Sequence, residues 1–298
     1  MAEVTFNDKI TRDKFGARPV DAESSLADVS ILDHGKVALL VTYGSDKIIG
    51  ETARMSYGKG TKQVSTGAGL LRYLMRHRHT SPIEHAEVVF FLRVPIFVAR
   101  QLVRHRTAKM NEYSARYSEL SDDFYVPTLD NIATQSQNNK QGRGDALPEE
   151  DAAQLQWDMH VSQQSGVNHY KHLLTEGVSR ELARTVTSVG TYTEMYWKCD
   201  VHNFLHFLKL RMDSHAQYEI RVMADAMYEC AKPFFPETFA AWEDYVLNAR
   251  TLSAMELRQL ASLINTGGYQ QDPKMSKREH EDFLALLEQL DRIHFNDN

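Results

Sequence analysis

The hydrophobic positions of this chain form a few short β-type runs set among longer helical ones. Lys36 to Tyr43 (Lys-Val-Ala-Leu-Leu-Val-Thr-Tyr) is short, β-branched and closed by Gly44, which predicts a buried strand. Ala86 to Val94 predicts a second strand, ended by Pro95, and Thr191 to Lys198, β-branched and aromatic, a third. Asp123 to Pro127 reads as a further short strand.

Helical spacing governs most of the rest. A short helical segment leads from Gly44 to Arg54-Met55-Ser56-Tyr57 and is broken by Gly58 and Gly60. Leu70, Leu71, Leu74 and Met75 make Thr66 to about His77 an amphipathic helix, and Ile96 to Val103 continues as a helix after Pro95. A long helix starts near Pro148, with Glu149, Glu150 and Asp151 suited to its positive end, and stops at Gly177. Leu155, Met159, Val167, Tyr170 and Leu174 form its stripe. Ser179 is placed to cap a shorter helix carrying Arg184. Asn203 to Arg211 is helical, and Ser214 and Gln217 stand at capping-box spacing for the next helix. Two more capping boxes, Ser253 to Glu256 and Ser276 to Glu279, open helices near the end. The last carries Phe283, Leu286, Leu287, Leu290 and Ile293, a stripe that needs covering. Residues 1–28 are polar and mixed and predict a loose arm, while Asn131 to Gly144, low in apolar residues, predicts a surface insertion over about 131–147.

Composition narrows the class. The 298 residues suffice for one large domain or two small ones, and 42% hydrophobic with 25% charged residues is ordinary for a soluble globular chain. No run reaches the ~18 to 20 apolar residues of a membrane span; the best candidate is interrupted by Glu87, Arg93 and Pro95. The start of the chain lacks the apolar region of an export signal, and two cysteines, Cys199 and Cys230, fit a reducing compartment, so a cytoplasmic location is expected. A net charge of -6 argues against nucleic acid as partner.

Against that acidity, Arg100 to Tyr117 carries Arg100, Arg104, Arg106, Lys109 and Arg116 with a single acid, Glu112. The cluster follows a buried-looking run, so its guanidiniums need an anion, and phosphate or carboxylate is the natural partner. Consecutive residues ending a helix point about 100° apart, so Arg104, His105 and Arg106 fan out toward different groups. Asn111, Glu112, Ser114 and Arg116 read as a loop wrapping a small polar molecule. His77, His79, Glu84 and His85 admit a metal reading and with it a metal-dependent nucleotide phosphohydrolase. However, their spacing lacks a helical His-x-x-x-His pair and Pro82 interrupts any helix. A non-catalytic nucleotide-binding regulator is a third reading. No glycine-rich dinucleotide fingerprint or phosphate-binding loop motif is present.

Arg104-His105-Arg106, seven residues, then Ser114, with Asn111 and Arg116, resembles the signature of the flavin-dependent thymidylate synthases, the ThyX family. Lys109 departs from it, many members having Ser there. The stretch His79-Thr80-Ser81-Pro82-Ile83-Glu84-His85 is similar to another family segment, and Leu210 to Gln217 followed by Glu219-Ile220 to a second signature. The resemblance covers about Val29 to Tyr245, implying a catalytic domain over 29–245 and a helical extension over 246–298. It implies an α/β, ThyX-like fold with helices packed on a mainly antiparallel sheet, assembled as a homotetramer with shared active sites. The implied activity is reductive methylation of dUMP to dTMP with 5,10-methylenetetrahydrofolate and NADPH through bound FAD, without nucleic acid, membrane or metal. For FAD the resemblance implies Ser56, His79, Ser81, Glu84, Arg104, His105, Arg106, Glu112, His202, His206 and His215. For dUMP it implies Gln101, Arg104, Glu112, Ser114, Ala115, Arg116, Arg184 and Arg211, with Arg211 polarising the uracil ring and Ser114 positioning the nucleotide. Neither cysteine has a basic neighbour placed by sequence, and no His–Asp pair is placed to activate Ser114, so no enzyme nucleophile is expected.

Overall fold

The structure is a computed structural model that describes residues 3–6, 25–57, 67–137, 139, 142–266 and 277–291. The chain divides into two compact units, Met1–Leu247 and Asn248–Asn298. In order, the first unit carries β1 (Thr5–Phe6), β2 (Ala27–Ile31), β3 (Gly35–Tyr43), α1 (Asp46–Arg54), α2 (Gly67–Arg76), β4 (Glu87–Pro95), α3 (Ile96–Leu102) and β5 (Lys109–Glu112). There follow β6 (Ala133–Gln135), β7 (Arg143–Ala146), α4 (Glu149–Thr175), α5 (Arg180–Ala183), β8 (Tyr192–Asp200), α6 (Val201–Arg211), α7 (Tyr218–Ala231) and α8 (Pro236–Trp242). The second unit holds α9 (Ala254–Thr266) and α10 (Lys277–Asp291).

Six strands form one sheet in the order β1-β2-β3-β4-β8-β5, and every neighbouring pair is antiparallel. The α/β class with a mainly antiparallel sheet is therefore the observed one. β4 sits inside the sheet and alternates strictly: Val88, Phe90, Leu92 and Val94 are fully buried, while Val89 and Phe91 face a smaller cluster with Ala38, Leu40 and Val41. β8 pairs with β4 along its whole length, from Glu87↔Asp200 to Pro95↔Tyr192. Over the large face pack α3, α6 and α7, and the aromatic centre is Phe90, Trp197, Phe204 and Phe207. Phe90 and Phe204 ring centroids lie 5.5 Å apart, and those of Trp197 and Phe207 lie 5.4 Å apart.

Local chemistry sets the junctions. Pro95, extended at φ -60 and ψ 147, ends the β4 ladder and starts α3, a position where its missing N–H costs nothing. Asp200 ends β8 and caps α6, its side chain accepting from Asn203 N at 2.8 Å. Gly177, at φ +83, closes α4 while Gly177 N and Val178 N bond to the carbonyls of Leu174 and Leu173.

Several expectations are corrected. The 1–28 segment is tied to the sheet at both described ends, Thr5 and Phe6 pairing with Asp28 and Ala27; residues 7–24 lie outside the described ones. Asp123 to Pro127 is not a strand: Phe124 makes one isolated bridge to Thr191. The 131–147 insertion contains the hairpin β6–β7, whose Arg143 pairs with the buried Glu219. Lys109 to Glu112, read as loop, is edge strand β5. Ser179 precedes α5 without a side-chain cap, and Arg184 lies in the 3-10 turn that follows it. No capping box opens α7, since Gln217 is spent on other partners and Asp213 accepts the His215 N–H instead. Leu155 and Met159 on the α4 stripe are exposed; burial is confined to Ala152, Val167 and Tyr170. The Ser253–Glu256 box is present with both bonds, at 2.6 and 3.2 Å; Thr66, Gly58, Gly60 and Ser276 lie outside the described residues. Among those residues no helix is long and apolar enough to cross a membrane.

The aromatic centre carries the expected stability load. Phe204→Ala should cost about 3–5 kcal/mol in a urea titration, with the midpoint falling and the slope unchanged. A loss under ~1 kcal/mol would contradict its central place.

Candidate functional site

The first set of site residues grows from the free edge of β8. β5 pairs there, placing Asn111 opposite Tyr196 and Glu112 opposite Met195, and Tyr113 N extends the pairing to Glu194 O at 2.8 Å. The chain then turns on Ser114, whose carbonyl accepts from Tyr117 N and Ser118 N and whose Oγ accepts from Arg116 N at 3.4 Å. The result is a cavity of about 620 Å³ whose lining includes Glu112, Ser114, Ala115, Arg116 and Arg184. Five residues expected at a nucleotide are thus together. Gln101, Arg104 and Arg211, expected with them, do not line this cavity. Glu112 accepts from Thr193 Oγ1 at 2.8 Å, which holds its carboxylate against the sheet. Among the described residues Arg184 gives only its Nε–H, to Glu181 O at 3.3 Å, and Arg116 lies over the Tyr117 ring at 5.3 Å. Two exposed guanidiniums, one carboxylate and a hydroxyl on one cavity suit a phosphorylated, hydroxyl-bearing ligand.

The second set lies where α3 ends. His105 N bonds to Leu102 O at 2.9 Å and Arg104 N to Gln101 O at 3.3 Å, so the Arg104–Arg106 triplet forms a tight turn. Arg104 and Arg106 are exposed, and neither has a side-chain hydrogen bond or ion pair among the described residues. His105 turns inward, edge-on to Phe207 at 4.9 Å, and its Nε2 accepts from Arg211 Nε at 2.9 Å. Accepting at Nε2 requires a neutral ring with its proton on Nδ1. The electrostatics agree: burial first, then the charge of Arg211 and of His206, holds His105 down at about 4. Burial also lowers Arg211 from the ordinary arginine range. Beside this pair Gln101 Nε2 donates to Gln217 Oε1 at 2.6 Å.

The third set surrounds the turn before β4. Ser56 lies exposed in the 3-10 turn Met55–Tyr57, and Ser81 and Glu84 are exposed at Thr80–His85. His79 stands against Tyr73 at 5.6 Å, and His85 Nδ1 is 2.8 Å from Ser81 O. α6 packs on this turn, and Val201 N bonds to Ala86 O at 2.8 Å, so His202 starts α6 close by. One turn on, His206 is exposed and near enough to His105 to influence it. His215 has its Nδ1 2.8 Å from Asp213 Oδ1. Among the described residues no three His, Cys, Asp or Glu side chains are grouped to hold a metal ion, and the phosphohydrolase reading finds no support.

The two cysteines and Ser114 stand as follows among the described residues. Cys199 is buried and pushed up to about 12, chiefly by burial, although Thr107 and Lys109 pull the other way; sequence had suggested no basic neighbour at all. Burial likewise pushes Cys230 up to about 12. Among the described residues no histidine bonds to Ser114 Oγ. What the sequence did not single out is Thr193, Arg143 and Tyr125, and it named Glu219 only as part of a signature, without a role. Each acquires its place through a partner 76 or more residues away.

Residues 38–237 match the family described as thymidylate synthase complementing protein. The flavin-dependent thymidylate synthase of Ehrlichia ruminantium (strain Gardel) is 47% identical over 258 residues, 86% of this chain and 87% of that protein. The flavin-dependent thymidylate synthase of Gluconobacter oxydans (strain 621H) is 47% identical over 265 residues, 87% and 86% of the two. Among solved structures, the UMP/dUMP methylase PolB from Streptomyces cacaoi, bound with 5-Br dUMP, superposes with a TM-score of 0.65 at 32% identity. That match covers 72% of this chain and 97% of PolB.

The neutral His105 has a pH signature. Its folded value near 4 lies below the ordinary 6.5, so the unfolded chain binds the proton more readily between them. The stability His105 contributes is complete above 6.5 and is lost as pH falls towards 4. Comparing wild type with His105→Asn by urea melts should show their difference shrinking over that window. A difference flat with pH would show that His105 is not held neutral.

Proposed function

The chain belongs to the flavin-dependent thymidylate synthase family, and on that premise we propose that it converts dUMP to dTMP, a methyltransferase reaction, with FAD as cofactor. In this reading 5,10-methylenetetrahydrofolate gives the one-carbon unit and NADPH the reducing equivalents. The observation that carries the reading is the cavity where Arg116 and Arg184 face Glu112 and Ser114. Its guanidiniums suit a nucleotide phosphate, and its carboxylate and hydroxyl suit the sugar and base. Gln101, Arg104, Ala115 and Arg211 complete the dUMP set. Arg211 acts on the ring: His105 takes its Nε–H, which leaves both Nη groups for the uracil carbonyl edge, where charge develops. Ser114 positions the nucleotide by hydrogen bonding.

The residues present fit a flavin on one observation: Arg104 and Arg106 are exposed cations with no partner among the described residues, as a pyrophosphate requires. Ser56, His79, Ser81, Glu84, His105, Glu112, His202, His206 and His215 make up the rest of the proposed cofactor set. FAD, when bound, supplies hydride transfer. We further propose a cytoplasmic homotetramer with shared active sites. That Arg104 and Arg211 do not line the Arg116–Arg184 cavity supports sharing, as does the exposure of Trp157, Leu155 and Met159 on α4. A yellow flavin spectrum of the purified protein, followed by dTMP formation with the two co-substrates, tests the reading. A colourless protein that binds dUMP without turnover would favour the regulator instead.

The two arginine roles separate by experiment. Arg106→Ala should fold normally and lose about 1.5 to 3 kcal/mol of flavin affinity, read by fluorescence of released flavin. Arg211→Ala should stay yellow but lose dUMP binding and turnover. Full flavin retention in the first, or an unchanged dUMP titration in the second, would remove that residue from its site.

The buried thiols give a second outcome. Cys199→Ser with Cys230→Ser should keep dTMP formation within a few-fold, assayed at low temperature because each buried hydroxyl costs roughly 1–3 kcal/mol of stability. Ser114→Ala should be impaired but active. A uracil adduct trapped on any of the three would overturn the absence of an enzyme nucleophile.

A further inference from the structure

Glu219 is fully buried at the start of α7, and both of its oxygens are engaged. Oε1 accepts from Tyr125 Oη at 2.9 Å and from Arg143 of the β6–β7 hairpin. Oε2 accepts from Gln217 Nε2 at 2.8 Å. Tyr125 and Arg143 already offset the cost of burying the charge on one oxygen, so the second oxygen is committed to Gln217 alone. This commitment has a direction. A carboxylate only accepts, so Gln217 must turn its NH₂ toward Glu219 and its carbonyl toward Gln101. That carbonyl can only accept, so Gln101 must present its NH₂, and Nε2 donates at 2.6 Å. One N–H and the carbonyl oxygen of Gln101 are left for a ligand.

Gln101 also stands at the root of the cationic turn, its backbone carbonyl accepting from Arg104 N at 3.3 Å. The Gln101–Gln217 bond therefore runs parallel to the His105–Arg211 bond, joining residues 101–105 to residues 211–217 at two points. We propose that Glu219 is a positioning residue for the nucleotide site, acting through Gln217 to fix which end of the Gln101 amide faces the ligand. This rests on the reading of Gln101 as a dUMP ligand. The hairpin supports the setting through Arg143, which gives the polar insertion a task at the site it does not line.

The test titrates dUMP into flavin-loaded protein, followed by the change in flavin absorbance. Gln217→Leu cuts the relay while leaving Glu219 with Tyr125 and Arg143, and Glu219→Gln removes the compulsory direction. Each should weaken dUMP about tenfold with flavin content unchanged. In a Gln101→Ala background the same changes should have no further effect on dUMP, which a purely structural ion pair would not produce. Where Glu219→Gln fails to fold, Gln217→Leu carries the test. Unchanged dUMP affinity in folded Gln217→Leu, or an undiminished loss in the Gln101→Ala background, would overturn the inference alone. A wild type that takes no dUMP would overturn the nucleotide reading itself.

Discussion

The antiparallel ladder between β4 and β8 is the constraint on which the rest depends. Its nine paired positions span roughly 30 Å at ~3.4 Å each. Helix α3 leaves from one end of the ladder and α6 from the other, and both pack over the same two strands. At ~1.5 Å per residue they cover about 10 and 16 Å, so their ends arrive close together. There His105 and Arg211, 106 residues apart in sequence, meet at 2.9 Å. A one-residue slip in the ladder would turn Phe90 and Trp197 out of the core and misplace both helix starts. The other edge of β8 carries β5 and with it Glu112, so one strand serves both halves of the candidate site.

How far this could be read from the sequence depends on whether burial is local. The β4 and β8 runs and the helices α2, α3 and α6 were legible because each buries a face with its own period, β3 because it is an unbroken apolar run, and α4 from its Pro148 start and Gly177 stop rather than from its stripe. β5 was not. Lys-Met-Asn-Glu has almost no apolar signal, since an edge strand exposes its side chains and is stabilised by backbone bonds to a partner far away. The β6–β7 hairpin escaped for the same reason, and its arginine is explained only by a carboxylate 76 residues on. The start of α7 misled because Ser214 and Gln217 have the right spacing for a cap, but Gln217 has a stronger claim on it from Gln101 and Glu219.

Among the site residues, the charge excess over 100–116 identified the cations but not their directions. The fan expected of Arg104, His105 and Arg106 is present, with the two arginines outward and the histidine turned in. That the inward member is neutral follows from its neighbours: a ring pressed on Phe207 and facing a guanidinium cannot hold a proton at ordinary pH. Its neutrality lets Arg211 remain the only charge of the pair.

Satisfaction, rather than residue type, separates Arg93 and Arg143 from the arginines proposed to meet a ligand. Arg93 looks in sequence much like Arg104, each directly following apolar residues. Yet Arg93 donates to His34 O at 2.8 Å and to Ser121 Oγ at 3.2 Å, pairs with Asp123 and Glu194, and lies over the Tyr192 ring. Every direction of its fork is met within the chain, and Asp123 is held below the usual carboxylate range by that contact. Arg143 is met in the same way by Glu219. Among the described residues Arg104 and Arg106 have no such partners, and Arg116 and Arg184 keep guanidinium N–H groups without acceptors. Solvent can satisfy one such group anywhere on a surface. The groups left over lie on a turn whose backbone is anchored by Gln101 and on a cavity where Thr193 holds Glu112, so the backbone that carries them is ordered around the site. Unpaired cations on an anchored backbone are what an anionic ligand binds with little rearrangement of the fold, and that is the ground on which the phosphate and pyrophosphate are proposed there.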